Sequence, residues 1–443
     1  MLHPSLEIKA GVALVGFRYR ASVKHERVIY VIATNGRIHY AHDNIFSLGD
    51  QQYVVERGGR MLMPLAGRLH PETLWAFIDD YNSGKPIDLA RPRVVFEQVQ
   101  TVLTKYVELE TAIDYAIVTA WAIGTYFFPL FAAYPFLHVK APKGSGKSQL
   151  LMLLAELCHN AVKARPTFAA LCDTVDALRG TYLIDQADAL TRWHHEELAD
   201  ILTDSYKRGG GKRRLREQDS RGRWRTVERE TYGPKVFAST RELPADLRDR
   251  CLVVPLIRSQ QNFLAPDEEA EDWRALRGRL YALLLTEHTY VANTYELRKR
   301  QYRAASTITG RELELWLPLA VLLECLGASD VLDTARTRFA AQYQFAEYRL
   351  SAFDEEVIKA VHDALLVQER LVLAPTDIVD LMDAALFRVG LDAIQKAVAV
   401  GRAIRRLNLA SEQATRSKHH VRYVFERGKV ARVYANYIQL IIP

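Results

Sequence analysis

Apolar and polar residues alternate from the start of the chain. GVALVGFRYR (11–20) and RVIYVIATNGRIHY (27–40) repeat with the spacing of half-buried strands, and Asn35-Gly36 offers a hairpin turn, so residues 8–65 are expected to be β-rich. The Gly- and Pro-containing stretch YNSGKPIDLARPR (81–93) then breaks the pattern and leads into helical sequence. Residues 115–137 (YAIVTAWAIGTYFFPLFAAYPFL) are apolar for longer than a bilayer requires. Pro129, Pro135 and the aromatic content argue instead for a buried helix, a turn and a buried strand.

From 111 to 258, short apolar runs (YPFLHVKA, TYLIDQAD, PKVFAST, CLVVPLI) alternate with helical segments such as EELADILTDSY, which predicts an α/β sheet core. Residues 266–350 carry no strand signal and read as helices. The remainder is expected to run helix (354–366), helix (376–386), helix (391–407), then two strands around Arg427-Gly428-Lys429. No repeat or low-complexity tract appears.

Composition adjusts this picture only slightly. The chain has 443 residues, 49% hydrophobic and 25% charged, the balance of a soluble protein of several modules. Cys158, Cys172, Cys251 and Cys325 lie far apart without metal-ligand spacing, which fits reduced core thiols. The opening MLHPSLEIKAG lacks the blocks of a signal peptide, so a cytoplasmic, non-membrane protein is expected.

The clearest chemistry is the run Ala141-Pro142-Lys143-Gly144-Ser145-Gly146-Lys147-Ser148. A strand ahead of it, glycines that let the backbone approach phosphate oxygens, and a helix after it make a phosphate-binding loop. The helix directs its positive end at the phosphates, Lys147 is expected to reach the β and γ oxygens of ATP, and the Ser148 hydroxyl to coordinate Mg²⁺. The loop opens with Ala141 rather than glycine.

Such a site also needs an acid for the magnesium shell and a base to align water. In TYLIDQAD, Asp185 fits the metal role, but Gln186 stands where an acidic base is expected, and an amide cannot take a proton. Three readings stay open: Asp188 takes over, the protein hydrolyses weakly, or position 186 carries a deliberate Glu-to-Gln change that traps ATP. The isosteric amide in otherwise intact surroundings favours the last.

Residues 207–230 (KRGGGKRRLREQDSRGRWRTVERE) hold ten basic and four acidic side chains, a surplus of +6 that equals the formal net charge of the whole chain. RRLREQD and WRTVERE around a turn at 220–223 predict a β-hairpin with Arg221, Arg223 and Trp224 at its tip. Lys212, Arg213, Arg214, Arg221 and Arg223 are expected to meet DNA phosphates, with Trp224 stacking on a base.

With the loop, the LIDQAD strand, the hairpin and TYGPKVFASTRELPADLRDRCLVVPLIR in hand, residues 111–330 resemble AAA+ ATPases of phages, plasmids and integrated elements, related to superfamily three and minichromosome-maintenance-like DNA helicases. The resemblance implies an α/β AAA+ P-loop core at 111–260 with its basic hairpin at 207–232, and a helical lid at 261–350. Around these are expected a β-rich N-terminal domain at 1–66, a helical linker at 67–110 and a C-terminal winged helix at 351–443. It implies ATP held between subunits of a homo-oligomeric ring, a hexamer in the family. Thr240 or Ser239 would be the polar sensor, Arg250 the finger reaching a neighbour's ATP with Arg248 as fallback, and Arg311 a second nucleotide sensor.

In the tail, Leu391, Ile394, Val398 and Leu407 are expected on the buried side of the last helix, with Arg402, Arg405 and Arg406 facing DNA. Arg416, Lys418, Arg422, Arg427 and Lys429 would sit on the wing. The functional expectation is an ATP-dependent DNA helicase or translocase of a mobile element. The alternatives are an initiator or loader that remodels DNA without sustained unwinding, and an AAA+ regulator acting on protein.

Overall fold

The computed structural model describes residues 2–437 apart from 23–24, 35, 57–62, 86–89, 143, 165–166, 192–195, 219–220, 257–258, 260–262, 264–265, 267–271, 306–309, 348–351, 388–391, 408 and 418–419. The chain divides into two compact units, Met1–Tyr343 and Gln344–Pro443.

The first unit begins with an antiparallel sheet of β1 (Leu6–Lys9), β2 (Val12–Ser22), β3 (His25–Thr34) and β4 (Arg37–Ala41) in sequential order, followed by the hairpin β5 (Ile45–Leu48) and β6 (Gln51–Val54). Gly36 turns β3 into β4 at φ +79°; Asn35 lies outside the described residues. The period of two is used on both faces. Leu6, Ala13, Val15, Phe17, Val31 and Ala33 enter the main core, while Val12, Leu14, Tyr30 and Ile32 build a smaller one with Leu2, Val55 and Met63.

Helices α1 (Pro71–Asn82), α2 (Pro92–Tyr106) and α3 (Ala112–Gly124) follow, each fixed at its start by local chemistry. Proline occupies the first turn of α1 and α2, and Thr111 with Asp114 forms a capping box on α3. The long apolar stretch is α3, a short 3-10 turn (Phe128–Leu130) and the strand β7 (Phe136–Lys140), all largely buried. Among the described residues no helix is long and apolar enough to cross a membrane.

The α/β core continues through α4 (Lys147–Leu157), β8 (Val162–Lys163), α5 (Phe168–Leu178), β9 (Tyr182–Ile184), α6 (Glu196–Asp204), the hairpin strands β10 (Arg213–Gln218) and β11 (Trp224–Arg229), β12 (Lys235–Ser239), α7 (Ala245–Arg248) and β13 (Cys251–Pro255). Five strands form one parallel sheet in the order β13-β7-β12-β9-β8. Its central strands are buried almost throughout because both faces are covered. Three helices close the unit: α8 (Trp273–Ala305), α9 (Gly310–Cys325) and α10 (Leu332–Glu347). Helix α8 packs on α1, α2, α4, β2 and β3, and α9 packs on α3 and α8, so Leu280 and Leu284 of α8 and Trp316 of α9 share one continuous core with the N-terminal sheet and the loop-bearing strand.

The second unit contains α11 (Ala352–Ala364), β14 (Arg370–Leu373), α12 (Pro375–Val379), α13 (Ala393–Arg406), β15 (Glu412–Ser417), β16 (His420–Glu426) and α14 (Arg427–Tyr437). The sheet order is β14-β16-β15 around a core of Val357, Val361, Ile378, Ile404 and Phe425. Two elements of this unit differ from the sequence expectation. Arg427-Gly428-Lys429 opens a helix rather than a turn between strands, and Val430 is buried in that helix. On α13, Ile394 and Val398 are exposed (76% and 47%), because helical spacing puts Val400, Ala403 and Ile404 on the inner face instead. Leu407 is half-buried, and Leu391 lies outside the described residues.

Candidate nucleotide site and basic hairpin

In the parallel sheet, β7, β9 and β12 end side by side: Lys140 is level with Ser239, and Phe237 with Ile184. The segments leaving these strands therefore meet at one edge, where open parallel sheets bind ligands. The edge gathers the 141–148 loop, Asp185, Gln186 and Thr240. Gly144 and Gly146 adopt φ +79° and +84°, and Gly144 has open space where a side chain would stand, so the loop backbone can lie against a phosphate. Ala141 is buried and donates its N–H to Ser239 O at 3.2 Å, which ties the loop to β12. Pro142 and Ser148 are exposed and Ser145 is buried; Lys143 lies outside the described residues. Lys147 starts α4 and directs its Nζ at the carbonyls of Ala141 (2.5 Å) and Pro142 (2.7 Å).

Asp185 is half-buried. Its Oδ2 pairs with Lys163 Nζ at 2.9 Å, and its Oδ1 accepts the Gln186 N–H at 2.9 Å. Gln186 is exposed and takes φ +57°, a conformation in which a residue with a side chain is strained. Asp188 accepts hydrogen bonds from Thr240 N (3.0 Å), Thr240 Oγ1 (2.8 Å) and Arg241 N (2.9 Å). Burial pushes its carboxyl up, but those hydrogen bonds together outweigh burial and hold it below the usual carboxylate range. A carboxylate engaged this way fixes the end of β12 and is a poor general base. Ser239, the other sensor candidate, is buried: its Oγ lies 2.7 Å from His138 Nε2 and donates to Arg241 O at 2.6 Å. Burial drives the His138 imidazole down to about 4.

The donor set suits a magnesium–nucleotide complex. Mg²⁺ takes oxygen ligands, commonly one or two carboxylates together with substrate phosphates, and the Ser148 hydroxyl and Asp185 carboxylate are of that kind. Among the described residues no cluster of three His, Cys, Asp or Glu forms a self-sufficient metal cage.

Arg250 lies at the opposite edge, where the strands begin. Its carbonyl accepts the Phe136 N–H at 2.9 Å, and Cys251 is level with Phe136, so roughly a five-residue strand, about 15 Å, separates it from the loop of its own chain. The guanidinium stands 5.4 Å from the Tyr206 ring and donates to Asp246 O. Burial, then the neighbouring Arg311, lower its pKa from the usual guanidinium value. Arg311 pairs with Asp249 at 3.3 Å, and Tyr206 OH donates to Glu314 at 2.9 Å. Arg250 and Arg311 thus belong to one cluster. Arg248 instead pairs with Glu242 at 3.5 Å.

The hairpin leaves from this same strand-start edge. Its register sets Arg214 opposite Glu228, Leu215 opposite Val227, Arg216 opposite Thr226 and Gln218 opposite Trp224. Alternation sends Arg213, Leu215, Glu217, Val227 and Arg229 to one face and Arg214, Arg216, Trp224 and Thr226 to the other. The first face is anchored: Arg229 pairs with Asp173 (3.0 Å) and Asp176 (3.6 Å) of α5 and with Glu217, and Arg213 with Asp204 (3.1 Å). Lys212 pairs with Glu228 at 2.5 Å. The outward face is open, with Arg214 80% and Trp224 65% exposed; Arg221 and Arg223 flank Gly222 at the exposed tip. Arg216 joins this outward face beyond the residues expected from the sequence; the signal for it is Leu215, the strand's one apolar residue, which turns inward and leaves Arg216 outward.

In the second unit Arg402 and Arg405 are exposed and continue the outward stripe of Ile394 and Val398; the Arg406 side chain lies outside the described residues. Arg422 lies on β16, and Lys429 of α14 donates to Ala410 O at 2.5 Å. Lys418 lies outside the described residues, as does the Arg416 side chain.

The chain matches no family model and no curated protein. Among solved structures it is similar to an SCCmec type IV Cch protein described as an active helicase, at 9% identity over 91% of this chain and 79% of that one, with a TM-score of 0.37. It is also similar to the apo C-terminal region of NrS-1 (10% identity, 94% and 97% covered, TM-score 0.38) and to a full-length MCM homolog from Methanopyrus kandleri (11%, 76% and 78%, TM-score 0.33).

Proposed function

We propose that the chain is an ATP-dependent DNA helicase or translocase that works as a homo-oligomeric ring, a hexamer in the form the sequence resemblance implies, and serves replication of a mobile element. The observation that carries this reading is the division of chemistry between the two edges of one sheet. Lys147, Asp185, Gln186 and Thr240 gather where β7, β9 and β12 end, while Arg250 and the basic hairpin stand where the strands begin.

In this reading Lys147 and the loop N–H groups bind the ATP phosphates, Ser148 and Asp185 hold Mg²⁺, Thr240 reads the γ-phosphate, and Gln186 orients water. Magnesium, when bound, neutralises charge on the phosphoryl oxygens. Arg250, too far along the sheet to serve its own loop, reaches a neighbour's ATP, with Arg311 beside it. An arginine donated across an interface stabilises the transferring phosphoryl group and links hydrolysis to subunit motion. The outward hairpin face, with Arg214, Arg216 and Trp224, grips the DNA strand by phosphate contact and stacking. The second unit acts as a winged helix whose Arg402 and Arg405 add duplex contacts.

Gln186 favours one second reading. With an amide at the water position, ATP serves as an assembly switch for an initiator or loader. Strand displacement on a forked duplex by the Gln186→Glu chain, in which position 186 can act as a base, tests the proposal: ATP-dependent unwinding is expected, while DNA-stimulated ATP turnover without unwinding would move the assignment to the loader. ATP turnover indifferent to DNA would remove both.

A further inference from the structure

We propose that Lys163 is the counter-ion of the magnesium-binding carboxylate, and that a divalent cation enters the site by exchanging with its ammonium group. The proposal rests on the nucleotide-site reading above. Lys163 ends the short edge strand β8, which pairs with β9 so that Lys163 is level with Leu183, two residues before Asp185. From there its Nζ reaches Asp185 Oδ2 at 2.9 Å. The other oxygen, Oδ1, accepts the Gln186 N–H at 2.9 Å, a bond fixed by the left-handed turn of the backbone at Gln186.

The two partners differ in how readily they leave. The Gln186 N–H belongs to the main chain and moves only if the turn is rebuilt. The Lys163 ammonium ends a flexible stem, and its side chain is 44% exposed while that of Asp185 is 25% exposed. An incoming cation therefore finds one carboxylate oxygen pinned and the other covered by a replaceable charge. Displaced, the ammonium returns to water at little cost, so the pair neutralises Asp185 before loading without closing the site. Lys163 is thus a positioning residue: it acts on metal binding through Asp185.

Binding of a fluorescent ATP analogue, followed as MgCl2 is titrated, tests this in the full chain with Lys163→Met, Lys163→Arg and Lys147→Ala. Removing the competing cation should lower the half-saturating Mg²⁺ concentration by roughly two- to fivefold in Lys163→Met, in the range of a partly exposed ion pair. Lys163→Arg should restore the original value. Loss of a merely structural contact would leave the midpoint alone or raise it, so an unchanged or raised midpoint in Lys163→Met overturns the proposal. Failure of the analogue to bind the unaltered chain, or binding indifferent to Lys147→Ala, would overturn the nucleotide-site reading itself.

Discussion

The two edges of the parallel sheet are built by different means. Where the strands end, functional groups are fixed largely by the main chain: glycines at φ +79° and +84°, Asp188 accepting from the Thr240 N–H, the Thr240 hydroxyl and the Arg241 N–H, and Asp185 accepting the N–H of its neighbour. Where the strands begin, the charged groups sit on a two-stranded hairpin held at its base by ion pairs to α5 and α6, with its outer face in solvent. The first arrangement suits a small ligand that must meet several groups at once. The second suits a long, flexible polyanion that meets them in succession. Substitutions at the two edges should accordingly fail in different ways.

The largest effect is expected at the strand-end edge. If position 186 supplies the water-activating group, Gln186→Glu should raise ATP turnover about a hundredfold or more, the range of general base catalysis, measured as phosphate release. Equal rates in the two chains would mean that position 186 supplies no base. Lys147→Ala should weaken ATP binding at least about tenfold, since a charge-assisted contact to phosphate is lost; calorimetry reads this directly.

At the opposite edge, effects on stability and on DNA binding should separate. Arg229→Ala removes the partner of Asp173, Asp176 and Glu217 and should cost about 1–2 kcal/mol, seen as a lowered Tm and earlier proteolysis within 207–230. Arg216→Ala together with Trp224→Ala, on the exposed face, should leave the folding stability within about 0.5 kcal/mol of the original, with Tm correspondingly little changed. DNA binding should nevertheless weaken, with the salt slope reduced by about one. If Arg229→Ala and the outward pair behaved alike, the division of the hairpin into an anchoring and a binding face would be wrong.

The fate of each sequence expectation follows from the range of the interactions involved. The 141–148 loop was legible because a strand, two glycines and a helix start are local features, as were the alternating strands of the first sixty residues. The sheet order was not legible, since it depends on pairing between distant segments. It is this order that brings Asp185 and Thr240 beside the loop, and the parallel register of β13 on β7 that sets Arg250 at the opposite edge. Lys163 gave no signal at all: its contact with Asp185 arises from the pairing of β8 with β9. On α13 two apolar stripes compete, and Val400, Ala403 and Ile404 win the core over Ile394 and Val398. Arg427-Gly428-Lys429 has turn composition, yet Val430 finds a place in the core and the segment continues as helix.

The central claim, that ATP bound at one edge is used on DNA held at the other, is tested most directly by ATP turnover of the Gln186→Glu chain as single-stranded DNA is added, with and without Arg216→Ala and Trp224→Ala. The rate is expected to rise with DNA, and the rise to be lost when the outward hairpin face is removed. A rate independent of DNA, or a rise that persists without Arg216 and Trp224, would contradict it.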